Sequence, residues 1–170
     1  MGTTLISMFI RIKKRKNAKY AYLVRNRRYK TKPRHRQKVV RYLGRVLTPE
    51  KQPGIKVDIT NLTFKESVIN LLKTELINHD FKEKNNEFIQ DNIKVSIEDK
   101  TVTKNNKIVS IELNEGFLNN YTLKELLNFE FNIKQPPLIQ GHNLANLLIS
   151  SGIKLSPSKF LKLFKKIHNP

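Results

Sequence analysis

The side chains with the clearest chemical use in this chain are its arginines, because they are confined to one segment. All nine lie between Arg11 and Arg45, and the rest of the 170-residue chain relies on lysine in a background rich in Asn and Ile. Guanidinium presents a planar fork of donors that fits phosphate oxygens and guanine edges, whereas an ammonium group is a point charge. The restriction of arginine to this segment therefore favours a surface that recognises anions.

The net charge is concentrated in the same segment. The chain carries 33 Lys and Arg against 14 Asp and Glu, a formal charge of +19, of which residues 1–56 hold +17. Such a field attracts phosphates through counterion release, so we predict a nucleic-acid interface. Its candidate residues are Arg11, Lys13, Lys14, Arg15, Lys16, Arg25, Arg27, Arg28, Tyr29, Lys30, Lys32, Arg34, Arg36, Arg41 and Arg45.

A basic segment of this kind also fits other interpretations. It is compatible with a solvated face, a targeting run, or a patch for an acidic protein or a membrane surface. The chain has no apolar run of 18 residues, so we expect no transmembrane helix and no membrane partner. With no Cys there are no disulfides and no thiolate zinc site, and we expect a cytoplasmic protein, or a nuclear one in a eukaryote.

Catalytic and metal-binding patterns are not evident in the sequence. The four histidines, His35, His79, His142 and His168, are scattered, and the six glycines form no phosphate-binding loop. We expect no catalytic residue, no cofactor and no metal. A metal-dependent nuclease stays open as an alternative, because carboxylates distant in sequence can converge in a fold.

Three short runs in the basic segment alternate with period two and contain β-branched and aromatic residues, which is typical of strands. They cover residues 8–13, 20–25 and 39–46. Residues 14–19 and 26–35 connect them, with Asn17 and Pro33 as turn residues. We therefore predict a three-stranded antiparallel meander with two basic loops.

The same alternation predicts two different faces for this meander. An apolar, core-facing side would carry Met8, Ile10, Ile12, Tyr20, Tyr22, Val24, Val40, Tyr42 and Val46. A cationic side would carry Arg11, Lys13, Arg25, Arg41 and Arg45 among Phe9, Leu23 and Leu43. On this interpretation three of the tyrosines pack in the core, and Tyr29, in a basic loop, is the better candidate for stacking on a base.

The three strands carry a resemblance to a known family. The runs Met8-Phe9-Ile10-Arg11, Tyr20-Ala21-Tyr22-Leu23-Val24 and Tyr42-Leu43-Gly44-Arg45 resemble the N-terminal meander of insertion-sequence DDE transposases. The resemblance covers residues 8–46 and implies a sheet that contacts DNA or RNA. It does not imply transposition, because the family's catalytic core is longer than residues 47–170. Small basic archaeal proteins and ribosome-associated proteins look similar.

The remainder of the chain alternates between strand and helix signals. Helix starts are predicted by Thr63-x-x-Glu66, by Thr122-x-x-Glu125 and by Ser156-Pro157, and a further helix by residues 143–151 with Gly152 after it. Strands are predicted at residues 87–89, 93–98, 101–103 and 107–113. The group Asn114-Glu115-Gly116-Phe117 fits a strand end that turns into a helix.

These signals together predict an α+β protein. It has a basic β-meander at residues 1–47, a linker at 48–56 and an α/β module at 57–170 that ends in a helix pair. We expect a non-catalytic nucleic-acid-binding protein, with RNA in a ribosome-associated setting favoured over DNA. Residues 57–170 offer a second surface for a protein partner.

Overall fold

The computed structural model describes residues 8–29, 32–52 and 54–167, and for residues 27–29 and 32–36 it describes the backbone alone. Helices and a mixed sheet are both present, which confirms the α+β class. The strands are β1 Met8–Arg15, β2 Ala18–Tyr29, β3 Lys32–Leu47, β4 Lys82–Lys84, β5 Glu87–Gln90, β6 Ile93–Ser96, β7 Thr101–Lys104, β8 Lys107–Leu113 and β9 Gly116–Leu118. The helices are α1 Phe64–Ile77, α2 Asn120–Leu127, α3 Pro137–Ser150 and α4 Pro157–Lys165.

The first three strands form the predicted antiparallel meander, but they are longer than predicted. The turn between β1 and β2 is only Lys16-Asn17, and β2 and β3 continue to Tyr29 and from Lys32. The two long basic loops predicted at 14–19 and 26–35 are therefore wrong. The apolar alternation stops before the strands do, because backbone hydrogen bonds continue the ladder through residues whose side chains are cationic.

A parallel pairing joins the meander to the rest of the sheet. The strand order is β1-β2-β3-β8-β7-β6-β5-β4, with β9 on β8, and β3 runs parallel to β8 from Arg45 opposite Val109 to Leu47 opposite Ile111. A parallel pair needs a long crossover, which residues 48–106 supply. The proposed boundary between two modules stays a prediction, and the two segments share one sheet.

Gly44 occupies the closest approach in this junction. Its φ is +103°, and a Cβ built on it would lie 2.5 Å from the Ile108 carbonyl oxygen and 2.6 Å from the Val109 Cα. Ser110 Oγ of β8 donates to the carbonyl of Leu43, the residue before Gly44, over 2.8 Å. Any side chain at position 44 would therefore push β3 away from β8.

Strands β4 to β8 form a second antiparallel meander, and three of its four turns are built from Asn and Asp. Three two-residue turns, Asn85-Asn86, Asp91-Asn92 and Asn105-Asn106, have positive φ at both residues, as type I′ turns require. The predicted strands β5, β6, β7 and β8 are present, and β4 and β9 were not predicted. Asn replaces the Gly that a hairpin prediction depends on, since its short amide tolerates the left-handed region.

The helix starts agree with the sequence in two of four cases. Thr63 and Glu66 form the predicted capping box of α1, and Ser156 Oγ accepts from the Lys159 amide at the start of α4. Helix α2 is capped by Asn119 instead of Thr122, and α3 begins at Pro137, six residues before the predicted start. Pro137 is tolerated at the first helical position because it lacks only an amide that would be unpaired there.

The core consists of two clusters. The larger one lies between strands β5 to β9 and the helices and includes Leu72, Phe88 and Ile111. The smaller one belongs to the meander and contains Ala21, Leu23, Leu43 and Val46, with Ile10, Ile12, Phe117 and Tyr121 packed against it. Phe117 from β9 and Tyr121 from α2 therefore cover one side of the meander.

The predicted linker is held against α1. The Gln52 amide donates to the Asn78 carbonyl over 2.8 Å, and the Ile55 amide donates to Asn78 Oδ1 over 2.7 Å. Lys51 Nζ lies 3.4 Å from Glu75 Oε1. Among the described helices, none is long and apolar enough to cross a membrane.

Replacing Gly44 with Ala should destabilise the protein by about 2 kcal/mol or more, because the new Cβ meets backbone atoms and the positive φ disfavours it. The measurement is the free energy of unfolding in urea. Gly141→Ala is the matched control: it lies inside α3, where a Cβ would meet Phe164 at an ordinary 3.4 Å. That change should stabilise by up to about 1 kcal/mol. Equal effects of the two substitutions would contradict the close approach of β3 to β8.

Glu112 makes the junction sensitive to acid. The Thr48 hydroxyl that donates to it over 2.7 Å, together with Lys19 Nζ at 3.1 Å, lowers its pKa below the ordinary 4.5. A lowered folded-state pKa contributes stability above the unfolded pKa, and this is lost as the pH falls through the folded value. Glu112→Gln should therefore reduce the unfolding free energy at pH 7, by less than about 1 kcal/mol for so exposed a pair.

The difference between wild type and Glu112→Gln should shrink as the pH falls below 4.5. Urea titrations between pH 7 and pH 3 measure it. Glu115→Gln is the control, since Glu115 is exposed in the β8–β9 turn and has no ion pair within the described part of the chain. A difference that stays constant over this range would refute the assignment to Glu112.

Candidate nucleic-acid interface

The register of the meander decides which side chains share a face. Residues directly opposite each other in antiparallel strands project from the same side of a sheet. Tyr22 is opposite both Arg11 and Tyr42, and Tyr20 is opposite both Lys13 and Arg45. One face, called here the tyrosine face, therefore carries Arg11, Lys13, Tyr20, Tyr22, Tyr42 and Arg45.

The predicted division into an apolar and a cationic face is wrong for β2 and β3. Ile10 and Ile12 of β1 are opposite Leu23 and Ala21, and this side packs on Phe117 and Tyr121. Alternation separates the two sides of each strand but does not say which side of β2 matches which side of β1, and a shift of one residue exchanges them. The register shifts in β3 break the alternation again between Tyr42 and Gly44.

The aromatic part of the tyrosine face is open to solvent at Tyr42, whose relative exposure is 42%. Its ring centroid lies 5.4 Å from that of Tyr22 with the two planes tilted by 53°. Lys13 Nζ lies 5.0 Å from the Tyr22 centroid, a distance at which a cation is attracted to the ring. Partial burial and the neighbouring hydroxyls of Tyr22 and Tyr20 raise the pKa of Tyr42, so its phenol is neutral at pH 7.

The cations of the tyrosine face are not neutralised by carboxylates. Among the residues that the structure describes, ion pairs with Asp or Glu involve Lys19, Lys51, Lys73, Lys94 and His79, all outside this face. Arg11 Nη1 instead donates to Gln37 Oε1 over 2.6 Å, a neutral partner that orients the guanidinium and leaves its charge. The face is thus free to receive anions.

A groove of about 690 Å³ extends this surface across the junction. Its polar lining includes Tyr42, Arg45, Lys104 and Lys107. The two lysines flank the Asn105-Asn106 turn of the β7–β8 hairpin, in a segment whose near-neutral charge gave no signal of an interface. The parallel pairing of β3 with β8 brings them beside Arg45, and no local pattern reveals such a contact.

The remaining candidate residues are spread over three places. Lys14, Arg15 and Lys16 are exposed at the β1–β2 hairpin. Arg25 is opposite Met8, and Arg41 is opposite Leu23. Both arginines are on the face away from the tyrosines. In register, Arg27 is the partner of Arg36 and Tyr29 that of Lys32. Beyond this backbone register, the placement of Arg27, Arg28, Tyr29, Lys30, Lys32, Arg34 and Arg36 lies outside the description.

The described histidines and carboxylates do not gather at this surface. His79 is buried, with Nδ1 2.8 Å from the Glu75 carbonyl oxygen, and His142 is exposed on α3. The side chain of His35 and all of His168 lie outside the described residues. Within the described ranges, no three His, Asp or Glu side chains are grouped so that they could hold a metal ion.

The assignment of the two faces can be checked with single thiols, because the chain has no Cys of its own. We expect Tyr42→Cys to react with a thiol reagent about as fast as unfolded protein. Leu43→Cys, at a buried neighbour, should react many times more slowly until urea unfolds it. Circular dichroism confirms that both variants are folded. If Leu43→Cys reacted faster than Tyr42→Cys, the faces predicted from the sequence would be correct instead.

Comparisons with protein-family models, with curated proteins and with solved structures find no match to this chain. The resemblance of residues 8–46 to a transposase meander therefore stays a prediction. The function has to be inferred from the charge, exposure and geometry of the tyrosine face and its groove.

Proposed function

We propose that this protein is a non-catalytic nucleic-acid-binding protein that holds phosphates on the tyrosine face. The observation that carries the proposal is that Arg11, Lys13 and Arg45 share a solvent-facing surface on which no described carboxylate neutralises them. Counterion release from a bound polyanion would supply most of the affinity, and phosphate contacts position a ligand without reading its sequence.

The backbone register supports a polyanionic ligand on the other face of the meander as well. Arg25 is opposite Lys38, on the face away from the tyrosines. Like charges directly opposite in a sheet are destabilising, so this pair reduces the stability of the free protein. A phosphate between two such cations turns the repulsion into attraction, which favours a polyanionic ligand over a merely solvated surface.

RNA is the favoured ligand, in a ribosome-associated or other ribonucleoprotein setting. Folded RNA offers loops and bulges with unpaired bases, and aromatic residues on an open sheet suit such bases. A small protein with a strongly basic segment also fits that setting. A merely solvated face lacks a role for the exposed ring of Tyr42.

Double-stranded DNA is the second candidate, and one observation favours it. Within the described residues β1 pairs with β2 as far as Arg25, and the pairing of β2 with β3 continues as a ribbon to Tyr29 opposite Lys32. The major groove of DNA admits a ribbon of this kind. A transposase-like meander would use it in this way.

The proposal is tested by fluorescence anisotropy with a labelled RNA stem-loop between 50 and 400 mM salt, taken as a range of roughly one decade. Wild type should show a steep linear fall of log K with log salt. In the double variant Lys13→Gln/Arg45→Gln the slope should become shallower by about 1.4 if both cations contact single-stranded phosphates. A flat response of the wild type would refute the electrostatic proposal.

The matched control is Lys82→Gln/Lys84→Gln, which removes the same charge from β4 at the opposite edge of the sheet. This control should bind like wild type. An equal loss in both double variants would mean that overall charge attracts the RNA and that the tyrosine face is no specific interface.

The same assay separates the alternatives. Duplex DNA of matched length should bind more weakly than the stem-loop, and the opposite ranking would favour the ribbon and the DNA candidate. Incubation of both ligands with Mg²⁺ or Mn²⁺ should leave them intact on a denaturing gel. Cleavage that depends on the metal would replace the proposal with a nuclease.

A further inference from the structure

We propose that Tyr42, supported by Tyr22, is a stacking site for an unpaired base, and that the groove beside it receives the phosphate of the adjoining nucleotide. The inference rests on the proposed function and names its ligand more closely as a single-stranded segment. The residues concerned are neighbours on the tyrosine face. Tyr22 and Tyr42 are opposite each other, Lys13 and Arg45 lie in the adjacent row, and the lysines of the β7–β8 hairpin line the same groove as Tyr42.

Tyr42 is not needed for the packing of the meander. The core of the meander lies on the other face, where Ala21, Leu23 and Leu43 are at most 3% exposed. Tyr42 by contrast exposes nearly half of its surface, although it is paired with Tyr22 on the neighbouring strand. A large aromatic ring left open in this position is available for a ligand.

The contacts of Tyr42 with its neighbours leave its ring accessible to a base. Tyr22 contacts it at a tilt of 53°, so the two rings do not cover each other's faces as a parallel stack would. Among the residues that the structure describes, Lys13 lies over the Tyr22 ring and no cation lies over the Tyr42 ring. Since Tyr42 is paired with Tyr22 in the β2–β3 ladder, its backbone is held in place before any ligand arrives.

Cations lie in the row of the tyrosine face next to the tyrosine pair. Lys13 on β1 and Arg45 on β3 are both opposite Tyr20, two interstrand spacings apart, or roughly 10 Å. A nucleotide whose base lies on the pair therefore has cations beside it for its phosphates. On the Arg45 side, Lys104 and Lys107 add two further cations that line the same groove as Tyr42.

The arrangement selects for unpaired nucleotides. A base inside a duplex is stacked on its neighbours and cannot lie on a protein ring, whereas a base in a single strand or a loop can. Stacking is tolerant of base identity because every base has a π-face. The site should therefore discriminate single strands from duplexes more than it discriminates sequences.

The experiment uses the full chain and a labelled oligouridine of eight nucleotides, with an RNA duplex of the same length as the second ligand. Tyr42→Leu removes the ring and keeps an apolar side chain, and Tyr42→Phe keeps the ring and removes the hydroxyl. We expect Tyr42→Leu to weaken oligouridine binding by about 5- to 100-fold, the usual effect of losing one stacked base. Tyr42→Phe should bind within about threefold of wild type, because the ring is kept.

The salt slope distinguishes this site from the phosphate contacts. Tyr42→Leu should leave the slope of log K against log salt unchanged, because no cation is lost, and should leave duplex binding unchanged. Equal affinity of wild type and Tyr42→Leu for oligouridine would overturn the inference and leave the proposed function standing. Failure of the wild type to bind either ligand would overturn both.

A second measurement does not depend on how well Tyr42→Leu folds. The chain has five Tyr and no Trp, so its intrinsic emission comes from tyrosine. Saturating oligouridine should quench the tyrosine emission of wild type more than that of Tyr42→Phe. Phe at position 42 keeps the shape of the site but does not contribute tyrosine emission. Equal quenching amplitudes in the two proteins would overturn the inference.

Discussion

The parallel pairing of β3 with β8 is the constraint on which the rest of the structure depends. Its close approach leaves no space for a side chain at residue 44, and the Ser110 hydroxyl adds a hydrogen bond to the Leu43 carbonyl. The pairing makes one sheet of two antiparallel meanders, and the same sheet places β9 next to β8. It also sets Arg45 beside the β7–β8 turn, so that the fold and the groove of the candidate interface have one origin.

Covering one face of the meander decides what the other face presents to solvent. Phe117 and Tyr121 pack on the side that carries Ala21 and Leu23, which are purely apolar and make no demand for a polar partner. A buried tyrosine needs a partner for its hydroxyl, and on the outer face water supplies one. Tyr20, Tyr22 and Tyr42 lie on the outer face together with the cations, and an aromatic surface arises next to a positive one.

Sequence patterns predict the elements of this fold better than their arrangement. Alternation finds the strands, and capping residues such as Thr63 and Ser156 find helix starts, because both signals lie within a few neighbouring residues. The exposed side of β2 depends on its register with β1, a non-local property, and it was predicted wrongly. Likewise the concentration of arginine points to the meander, but the part played by Lys104 and Lys107 follows only from the pairing of strands distant in sequence.

The two segments of the chain differ in how their cations are paired. In the later segment Glu83 pairs with Lys73, and Glu87 pairs with Lys94. Within the described part of the meander the cations form no ion pair with a carboxylate, except Lys19, which pairs with Glu112 at the junction. The repulsion between them is tolerated because the covered face and the parallel pairing hold the strands in place independently of charge. A bound polyanion would remove this repulsion, and its binding free energy would then add to the stability of the fold by mass action. Cations would set the affinity and its dependence on salt, while the uncharged ring of Tyr42 beside them would decide whether the bound strand is paired.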